Sequence, residues 1–323
     1  MAAPVIHTIV LNWRTPDMTL RAVEAALAAM EGLAGGITVV DNDSRDGSFE
    51  RLSAALAGQD RVRVIQSGRN GGFGAGNNAG IRAGLPGGAV PDLVYILNSD
   101  AFPAPDAIRA LAEDLAAHPR AGLAGSLIHG EDGATHLTTF RFPSIASEFE
   151  EGARFGPVSR LLAARRVPLD TPGRACEVDW LAGASLMIRR AVLEEVGGFD
   201  ETFFLYFEET ELCLRARRAG WTTRFVPGSR VAHIGSVSTG MKDWARVPEY
   251  WFDSRRHYFR KSHGAAFAAA ADVARVAGGL VHRARNLARG RRADDPPHFL
   301  RTLVRHSRDS ARRARRPDPS ARA

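Results

Sequence analysis

Short apolar runs alternate with segments of helical periodicity from residue 5 to residue 128, and this alternation constrains the fold more than any other feature. The runs predict five strands, at Val5–Leu11, Ile37–Val40, Val62–Ile65, Leu93–Leu97 and Ala121–Ile128. After the first strand, Thr15 and Pro16 supply a helix cap and a first helical residue. Strands that alternate with helices in this way predict an α/β fold with a mostly parallel central sheet and helices on both faces.

The cysteines and the apolar segments bear on the compartment of the protein. Cys176 and Cys213 form no metal-binding pattern and suit a reducing compartment. The N-terminal segment lacks a basic region ahead of its apolar residues, which argues against a signal peptide. The most apolar stretch, Ala265–Val281, is interrupted by Asp272 and Arg275, which argues against a membrane span. We therefore expect a cytoplasmic protein.

The formal charge of +7 is concentrated at the C-terminus. From Arg275 onward there are 14 Arg against 4 Asp, which leaves the rest of the chain near −3. A basic tail binds anionic lipid or nucleic acid, or is simply solvated. Beside an otherwise near-neutral body we favour an anionic membrane surface over nucleic acid, with a peripheral position on the inner face of the membrane. A solvated tail fits the composition equally well.

Polar and aromatic groups follow the carboxyl ends of the first four strands. Trp13 and Arg14 follow the first, Asp41, Asp43 and Asp46 the second, Arg69 and the Gly71–Gly76 loop the third, and Asn98 and Asp100 the fourth. The carboxyl ends of parallel strands open at one edge of a sheet, where ligands bind. We therefore expect these groups to converge at a single site.

The chemistry of these groups suits a nucleotide sugar and a divalent cation. An indole such as Trp13 stacks on a base, and the Asp41 carboxylate accepts the imide N–H of uracil or thymine. Asn98 and Asp100 project to the same side of the strand end, because side chains alternate along a strand. Their oxygen atoms favour Mg²⁺ or Mn²⁺, which would neutralise a departing diphosphate.

Each motif alone has a simpler interpretation. The Asp41–Ser48 segment fits a turn followed by a helix cap, the glycines fit close packing, and Asp100 fits a helix cap. The glycine-rich loop follows the third strand and not the first, which disfavours a dinucleotide dehydrogenase. No GxxxxGK[ST] motif is present, which disfavours a P-loop NTPase. The four loops taken together favour the site.

A second group of candidates lies in the aromatic and acidic segment from Phe203 to Glu211. If a helix begins near Glu208, then Glu209 shares one face with Leu212, Cys213 and Ala216. An inward carboxylate at the start of a helix predicts a general base, although an acidic first turn also suits the helix dipole. His233 ends a strand-like segment and fits either a structural residue or a ligand of the metal or diphosphate.

Six segments together resemble family 2 glycosyltransferases, in particular the bacterial rhamnosyltransferase-like group. In order along the chain they are IVLNWRTPD, VVDNDSRDGS, GRNGGFGAGNNAGI, YILNSDA, DWLAGASLMIRR and VGGFDETFFLYFEETELCLRARRAGW. The resemblance extends from about Val5 to His263. It implies a GT-A fold, which is a Rossmann-like nucleotide-diphospho-sugar transferase fold, here with a C-terminal helical extension. It also implies inversion at the anomeric carbon by one direct displacement.

The resemblance also implies roles for particular residues. It assigns Trp13 to stacking on the nucleobase and Asp41 to a hydrogen bond with the nucleobase. It assigns Asp100 and His233 to the metal, and Glu209 to the role of catalytic base, which removes the proton of the acceptor. We further expect Asn12, Asp43, Arg69, Asn98 and Ser99 on the donor side, and Trp180, Gly183 and Glu208 on the acceptor side. Two positions depart from the family pattern, since Asn98 replaces the first Asp of a D-x-D motif and Glu209 replaces an Asp.

We therefore predict a metal-dependent (Mn²⁺ or Mg²⁺) glycosyltransferase of polysaccharide or glycolipid synthesis in the cell envelope. The donor would be a dTDP- or UDP-linked sugar, with rhamnose the first candidate, and the acceptor a glycan or lipid-linked hydroxyl. The alternatives are a GT-A-like nucleotidyltransferase and a non-catalytic protein that binds nucleotide sugars or anionic surfaces.

We expect residues 1–130 to form the nucleotide-sugar-binding half, and residues 131–240 to form the acceptor and catalytic half of the same domain. Residues 241–281 would form C-terminal helices, and residues 282–323 an Arg-rich tail for which disorder is one alternative.

Overall fold

The computed structural model describes residues 3–235, 246–292 and 294–315. The chain divides into two compact units. The first contains residues up to Phe142 and from Pro168 to Lys242, and the second contains Pro143–Val167 and the chain from Asp243 onward. These limits differ from the boundaries expected at residues 130, 240 and 281, because the chain leaves the first unit after Phe142 and re-enters it at Pro168. The last eight residues of the predicted tail, 316–323, lie outside the described residues.

Eleven α-helices lie in the described part of the chain. They are α1 (Pro16–Ala29), α2 (Ser48–Ala55), α3 (Gly72–Ala83), α4 (Ala107–Ala117), α5 (Ile145–Ala153), α6 (Gly156–Leu161), α7 (Arg190–Val196), α8 (Glu208–Arg218), α9 (Glu249–His263), α10 (Ala265–Ala288) and α11 (Phe299–Arg315). Helices α5, α6, α9, α10 and α11 belong to the second unit.

Eleven strands lie in the first unit. They are β1 (Ile6–Asn12), β2 (Gly35–Asp41), β3 (Val62–Gln66), β4 (Leu93–Asn98), β5 (Ala101–Pro103), β6 (Ala121–His129), β7 (Thr139–Phe140), β8 (Cys176–Val178), β9 (Trp180–Leu181), β10 (Ser185–Arg189) and β11 (Thr222–His233). Nine of them form one sheet in the order β3-β2-β1-β4-β10-β6-β11-β5, with β8 paired to β11, while β7 and β9 form a separate pair.

The first four strands are parallel, as predicted, and their carboxyl ends are in register. Asn12 at the end of β1 is paired with Asp41 at the end of β2, and Leu11 is paired with Asn98 of β4. Asp41 is in turn paired with Gln66 at the end of β3. The loops that follow these strands therefore open at one edge of the sheet, which confirms the convergence expected from the sequence.

Strand β10 is inserted antiparallel between β4 and β6. Its first residue, Ser185, is paired with Leu97, so β10 begins at the edge where β4 ends. Strand β11 runs parallel to β6 and antiparallel to β5, and its last residue, His233, is paired with Ala101. The segment before β10 and the end of β11 therefore reach the edge that carries the first four loops.

The core of this unit lies on both faces of the sheet. Along β1, Ile6 and Val10 are fully buried in one apolar cluster, whereas Ile9 is fully buried in another. Residues of α1 and α4 complete the first cluster, and residues of α7 and α8 complete the second. The alternation follows from the two-residue period of a strand, and it fixes which helices cover each face.

The second unit is helical and contains a buried ion network. The Arg255 side chain is only 1% exposed and donates to Glu148 at 2.8 Å and to Asp272 at 2.5 Å. Arg275 pairs with Glu151 at 2.7 Å. Buried charges are tolerated when they are paired and hydrogen-bonded in this way. A Cβ at Gly278 would lie 2.3 Å from the carbonyl oxygen of Phe149, so α10 packs against α5 at backbone distance.

Two segments differ from the sequence predictions. The sequence pattern is weak from 135 to 174, where Pro, Arg and Phe residues predict a connector, yet this segment contains α5 and α6. Within the predicted tail, residues 299–315 form α11, where disorder was one alternative. Its apolar residues Phe299, Leu300 and Leu303 are buried, which gives this Arg-rich segment a packing face. One helix, Ala265–Ala288, is long and apolar enough to cross a membrane by length and composition alone.

Candidate active site

The end of β2 carries a buried carboxylate whose hydrogen bonds are satisfied within the protein. Asp41 is completely buried. Its Oδ1 accepts hydrogen bonds from Asn12 Nδ2 at 2.7 Å and from Ser44 Oγ at 2.6 Å, and its Oδ2 accepts from the Ser44 backbone N–H at 3.1 Å. This geometry fixes the loop between β2 and α2. The Asp41 carboxylate is not exposed to solvent in this arrangement, and its contact with a nucleobase stays a prediction.

The neighbouring Asp43 is more accessible. Its side chain is 20% exposed and pairs with Arg45 at 2.8 Å. Both Asp43 and Arg45 have left-handed backbones, with φ of 57° and 53°. Such conformations are uncommon outside glycine, and Asp tolerates them better than most residues because its short side chain bonds to the nearby backbone. The turn therefore buries Asp41 and directs Asp43 outward.

Trp13 and Arg14 follow β1 and adjoin the same turn. The Arg14 backbone N–H donates to Ser44 Oγ at 2.9 Å, and the Arg14 guanidinium lies 5.1 Å from the centre of the Trp13 ring. Trp13 is partly exposed. A guanidinium over one face of an indole is a favourable cation–π contact, and it leaves the second face of the ring as the candidate stacking surface.

Helix α3 contains the glycine-rich segment and packs against the aromatic segment 199–207. A Cβ at Gly72 would lie only 1.7 Å from the carbonyl oxygen of Phe204, and the same oxygen accepts the Phe73 backbone N–H at 3.0 Å. Asn78 exchanges hydrogen bonds with both backbone groups of Phe199. The glycines from Gly72 onward therefore serve close packing, which was the simpler interpretation of this motif.

Arg69, which was expected on the donor side, makes an ion pair across this seam. It contacts Glu201 at 2.9 Å, and Arg82 contacts the other carboxylate oxygen of Glu201 at 2.9 Å. The Arg69 side chain is 70% exposed, so its guanidinium is accessible to solvent while it is paired. The pairing attaches the loop after β3 to the segment before α8.

Asn98, Asp100 and His233 meet where β4 and β11 end. His233 Nε2 lies 3.1 Å from Asp100 Oδ1 and 3.4 Å from Asn98 Nδ2. Burial tends to raise the pKa of Asp100, but the hydrogen bond and charge of His233, with backbone N–H donors of Asp100 and Gly235, hold it below its ordinary value. Asp100 is therefore ionised at neutral pH, beside a ring nitrogen. Ser99, between Asn98 and Asp100, lies 3.2 Å from the Thr15 hydroxyl.

Two adjacent carboxyl groups lie at the start of α8. Glu208 is buried and Glu209 is partly buried. Burial raises the pKa of both, and the charge of Glu209 raises that of Glu208 further. The backbone N–H groups of Glu209 and Gly183 partly offset this rise in the pKa of Glu209. Within the described residues, one carboxylate oxygen of each, Oε2, is buried without a hydrogen-bond partner. Unpartnered buried carboxylate oxygens are costly, which suggests a substrate role.

The backbone ahead of this pair is strained. Tyr206 and Phe207 both have φ of 70°, in the left-handed region that side chains with a Cβ rarely occupy. Each such residue costs on the order of 1–3 kcal/mol, and such strain is found most often at functional sites. The predicted helix start at Glu208 is confirmed, and Leu212, Cys213 and Ala216 are fully buried on the face shared with Glu209.

Trp180 and Gly183 lie in the segment that leads into β10. Trp180 stacks on Phe140 with ring centres 4.2 Å apart, and its indole N–H donates to the Arg141 carbonyl at 2.9 Å. A Cβ at Gly183 would contact the Phe73 ring at 3.1 Å and lie 3.7 Å from Glu209 Oε1. The segment therefore separates the aromatic ring of α3 from the start of α8.

Hydrogen bonds connect several of the predicted residues to one another or to their neighbours. Asn12 bonds to Asp41 and, through its Oδ1, to Thr15, which reaches Ser99. The Asn98 backbone N–H donates to the Ala184 carbonyl at 3.1 Å, and the preceding residue, Gly183, lies beside Glu209, since a Cβ there would be 3.7 Å from Glu209 Oε1. The groups scattered along the sequence are thus assembled at one edge of the sheet.

Sequence reasoning missed the residues that tie the loops together. Ser44 donates twice to Asp41, and Asn42 donates to Asn70 Oδ1 and to the Gly72 carbonyl, both at 3.1 Å. The spacing of Asp41 and Ser44 is that of an Asp side chain that caps its own turn, and this was the available signal. In the described ranges, no group of three or more His, Cys, Asp or Glu side chains is arranged to hold a metal. The expected pair, Asp100 and His233, is nevertheless in contact.

Comparisons with known proteins bear on the family and the fold. The family model described as "Glycosyltransferase like family 2" matches residues 3–264. The chain is 33% identical over 214 residues to an N-acetylglucosaminyl-diphospho-decaprenol L-rhamnosyltransferase of Mycobacterium tuberculosis, covering 63% of this chain and 68% of that protein. It is 28% identical over 216 residues to the low-salt glycan biosynthesis hexosyltransferase Agl10 of Haloferax volcanii, covering 66% and 62% of the two chains.

A solved structure extends the similarity to the fold. The mannosyltransferase PcManGT from Pyrobaculum calidifontis, in complex with GDP-Man and Mn²⁺, matches with a TM-score of 0.58 at 16% identity. The match covers 98% of this chain and 82% of the other. The predicted GT-A architecture is thereby confirmed. The chain belongs to glycosyltransferase family 2 and is a glycosyltransferase of glycan biosynthesis.

Proposed function

We propose that this enzyme transfers a sugar, with inversion, from a nucleoside-diphosphate donor to a hydroxyl of a lipid-linked acceptor. The observation that carries the proposal is the Glu209 carboxylate. It lies beside Gly183, one residue from the contact between Ala184 and Asn98, and its Oε2 has no partner among the described residues. A general base needs such a free oxygen next to the site of reaction.

Glu209 would remove the proton of the acceptor hydroxyl. The hydroxyl oxygen forms a bond to the anomeric carbon while the bond from that carbon to the diphosphate breaks, and the nucleoside diphosphate leaves. Burial raises the pKa of Glu209, which makes the carboxylate a stronger base than a solvated one. We assign Trp180, Gly183 and Glu208 to the acceptor side, where Oε2 would meet the acceptor hydroxyl.

On the donor side we propose that the base stacks on Trp13 and is contacted by Asp43. Asp41 holds this loop in place through its hydrogen bonds with Asn12 and Ser44. Arg69 is exposed beside the glycine-rich segment, where its charge suits a phosphate. Asn98 and Ser99 complete the donor side through their contacts with His233 and Thr15.

The Asp100 and His233 pair fits a divalent cation. A carboxylate oxygen and an imidazole nitrogen 3.1 Å apart are two donors of the kinds that Mn²⁺ accepts, and the Asn98 amide adjoins them. A bound Mn²⁺ or Mg²⁺ would supply charge that stabilises the departing diphosphate. The low pKa of Asp100 keeps its carboxylate ionised for this purpose.

The relatives guide the choice of substrates. The mycobacterial rhamnosyltransferase is named for a decaprenol-linked acceptor and for rhamnose, and we propose a polyprenyl-linked acceptor and, as first candidate, a dTDP-rhamnose donor, with UDP-sugars next. The enzyme would then act in the synthesis of cell-envelope glycans. It would be located in the cytoplasm, at the inner face of the membrane. The cationic C-terminal region suits that position.

A panel of nucleotides tests the donor side. Thermal shift with dTDP, UDP and GDP, each with and without Mn²⁺ or Mg²⁺, should give one selective and metal-dependent stabilisation. Asp100→Asn should lose the metal-dependent part, whereas Glu113→Asn on the exposed surface of α4 should keep it. A shift that is unchanged in Asp100→Asn would refute the assigned metal site.

Measurement of the transfer rate tests the assignment of Glu209 as the catalytic base. With the matching nucleotide sugar and a short-chain N-acetylglucosaminyl-diphospho-polyprenol, we expect Glu209→Gln to lose about 10³-fold in transfer while it binds the nucleotide normally. Glu113→Gln serves as the matched control. The product should be a nucleoside diphosphate, since release of pyrophosphate would indicate a nucleotidyltransferase. Turnover near that of the wild type in Glu209→Gln would refute the role of Glu209.

A further inference from the structure

Helix α10 leaves a long apolar face exposed in the second unit. Val273, Leu280 and Leu287 are 69%, 56% and 79% exposed, and they recur every seven residues. With Ala266, Ala269 and Ala284, which are also exposed, they lie within a sector of about 60° around the helix axis. We call these six residues the α10 stripe. It runs for about 32 Å at the rise of an α-helix.

The opposite face of α10 is polar and committed to the protein. Asp272, Arg275 and His282 are buried there, and the two charged residues belong to the ion network of the unit. A helix that crosses a bilayer exposes apolar side chains all round, whereas a helix at its surface exposes one apolar face. The arrangement of α10 is that of an interfacial helix, although its length and composition alone would also allow a span.

The second unit also exposes cationic side chains, after α10 and along α11. Arg289, Arg291 and Arg292 are exposed directly after α10. Within α11, Arg301, Arg305, Arg308 and Arg312 are all exposed. At 100° per residue they form one row, opposite the buried residues Phe299, Leu300 and Leu303. In the described part of the chain, none of the four Arg side chains of this row has a carboxylate partner.

The charge of the whole unit follows the same pattern. Its residues include 23 Arg and Lys against 11 Asp and Glu, a formal charge of +12, which leaves −5 for the first unit. Each basic residue near an anionic bilayer contributes about 1 kcal/mol of attraction, and an apolar helix face adds the energy of its burial. Stable membrane attachment generally needs two such signals together, and this unit has both.

We propose that the second unit docks on an anionic bilayer, with the α10 stripe buried at the interface and the exposed arginines contacting the lipid headgroups. A second copy of the chain is a poorer occupant. The stripe offers about 300 Å², roughly 32 Å by one helix width, against about 800 Å² per partner in a stable interface. The second units of two copies of the chain, each with a formal charge of +12, would also repel each other. The inference deepens the proposed function, because it places the enzyme where a lipid-linked acceptor resides.

Flotation of the full chain with vesicles tests the proposal. Vesicles of phosphatidylcholine with about 30% phosphatidylglycerol should bind the wild type, and pure phosphatidylcholine vesicles should bind it at least tenfold more weakly. Leu280→Gln with Leu287→Gln should weaken binding to the anionic vesicles by about tenfold or more. The matched control is Leu137→Gln with Leu161→Gln, which alters two leucines that are 57% and 84% exposed outside α10 and should bind as the wild type does.

Three measurements decide the outcome. Equal binding by the stripe variant and the control would overturn the proposal, as would equal binding to neutral and anionic vesicles. Light scattering that finds a dimer in the wild type and a monomer in the stripe variant would assign the stripe to a second copy instead. The nucleotide thermal shift of each variant is recorded in parallel, because the stripe variant should keep it. Loss of vesicle binding with a normal nucleotide shift therefore leaves the proposed function standing, whereas failure of the nucleotide shift in the wild type would count against that function alone.

Discussion

The loop after β2 and the start of α8 both contain buried carboxylates, but the two regions differ in how many hydrogen bonds these carboxylates accept. Asp41 has three hydrogen-bond donors on its two oxygens. Glu208 and Glu209 are adjacent, each has a raised pKa, and each keeps one buried oxygen without a partner in the described residues. A carboxylate that is satisfied by its own fold stabilises that fold, whereas an unsatisfied one lowers stability and leaves an oxygen free for chemistry.

The largest effect should come from shortening the Glu209 side chain, which carries one of the unsatisfied carboxylates. Glu209→Asp restores the residue typical of the family but shortens the side chain by one methylene, which shifts the carboxylate relative to Gly183, beside which it lies. A displacement of about 1 Å can reduce a rate about 100-fold, and we expect a loss of that order in the transfer rate with little change in melting temperature. Steady-state kinetics with the matching donor measures it. A rate equal to that of the wild type would mean that transfer does not depend on the position of this carboxylate.

The next largest effect should be on stability. Asp41→Asn replaces an acceptor oxygen by an NH₂ group that faces the donors Asn12 or Ser44, and unsatisfied buried donors cost on the order of 1–3 kcal/mol. We expect urea denaturation to show a loss of about 2 kcal/mol. Asp43→Asn, two residues away, is the control, and it should lose less than about 0.5 kcal/mol while it weakens nucleotide binding. The reverse ranking would show that Asp41 is not the structural carboxylate.

The smallest effect concerns the dependence of stability on pH. Burial, and then the charge of Glu209, raise the pKa of Glu208 well above its ordinary value. Above the unfolded pKa of about 4.5 the unfolded chain releases this proton while the folded protein retains it, so stability falls as pH rises toward the folded pKa. Glu208→Gln should remove about 1 kcal/mol or more of this decline between pH 5 and 8, as measured by urea denaturation. An identical pH profile in the variant and the wild type would contradict an unsatisfied Glu208.

Much of the fold and of the site was accessible from the sequence. The periodicity of β1 to β4 and of α1 fixed the parallel sheet, and the rule for strand ends then brought Trp13, Asp41 and Asp100 to one edge. The helical face of Leu212, Cys213 and Ala216 selected Glu209 as a candidate catalytic base without any comparison, and that role stays a prediction. These features follow from local spacing, which a single sequence displays.

Other features depend on contacts that spacing does not encode. The apolar run of β10 contains no signal of its direction, so its antiparallel insertion between β4 and β6 was not foreseen. The occupation of Asp41 depends on Ser44 and Asn12, one of them distant in sequence. Helices α5 and α6 were assigned to a connector because their stabilising partners, such as Arg255 and Arg275, lie about a hundred residues away along the chain.

The contact of Gly72 with the Phe204 carbonyl limits how such an enzyme can be rebuilt. The donor loops and the base-bearing helix were expected to belong to separate halves of the domain, which suggests exchanging halves between relatives to obtain new donor and acceptor pairs. At this seam any side chain larger than hydrogen would overlap the opposing backbone, and the Phe73 N–H bonds to the same oxygen. A chimera divided between these two segments must therefore inherit both sides of the seam from one parent, because the glycine-rich segment and the segment before α8 fit each other at backbone distance.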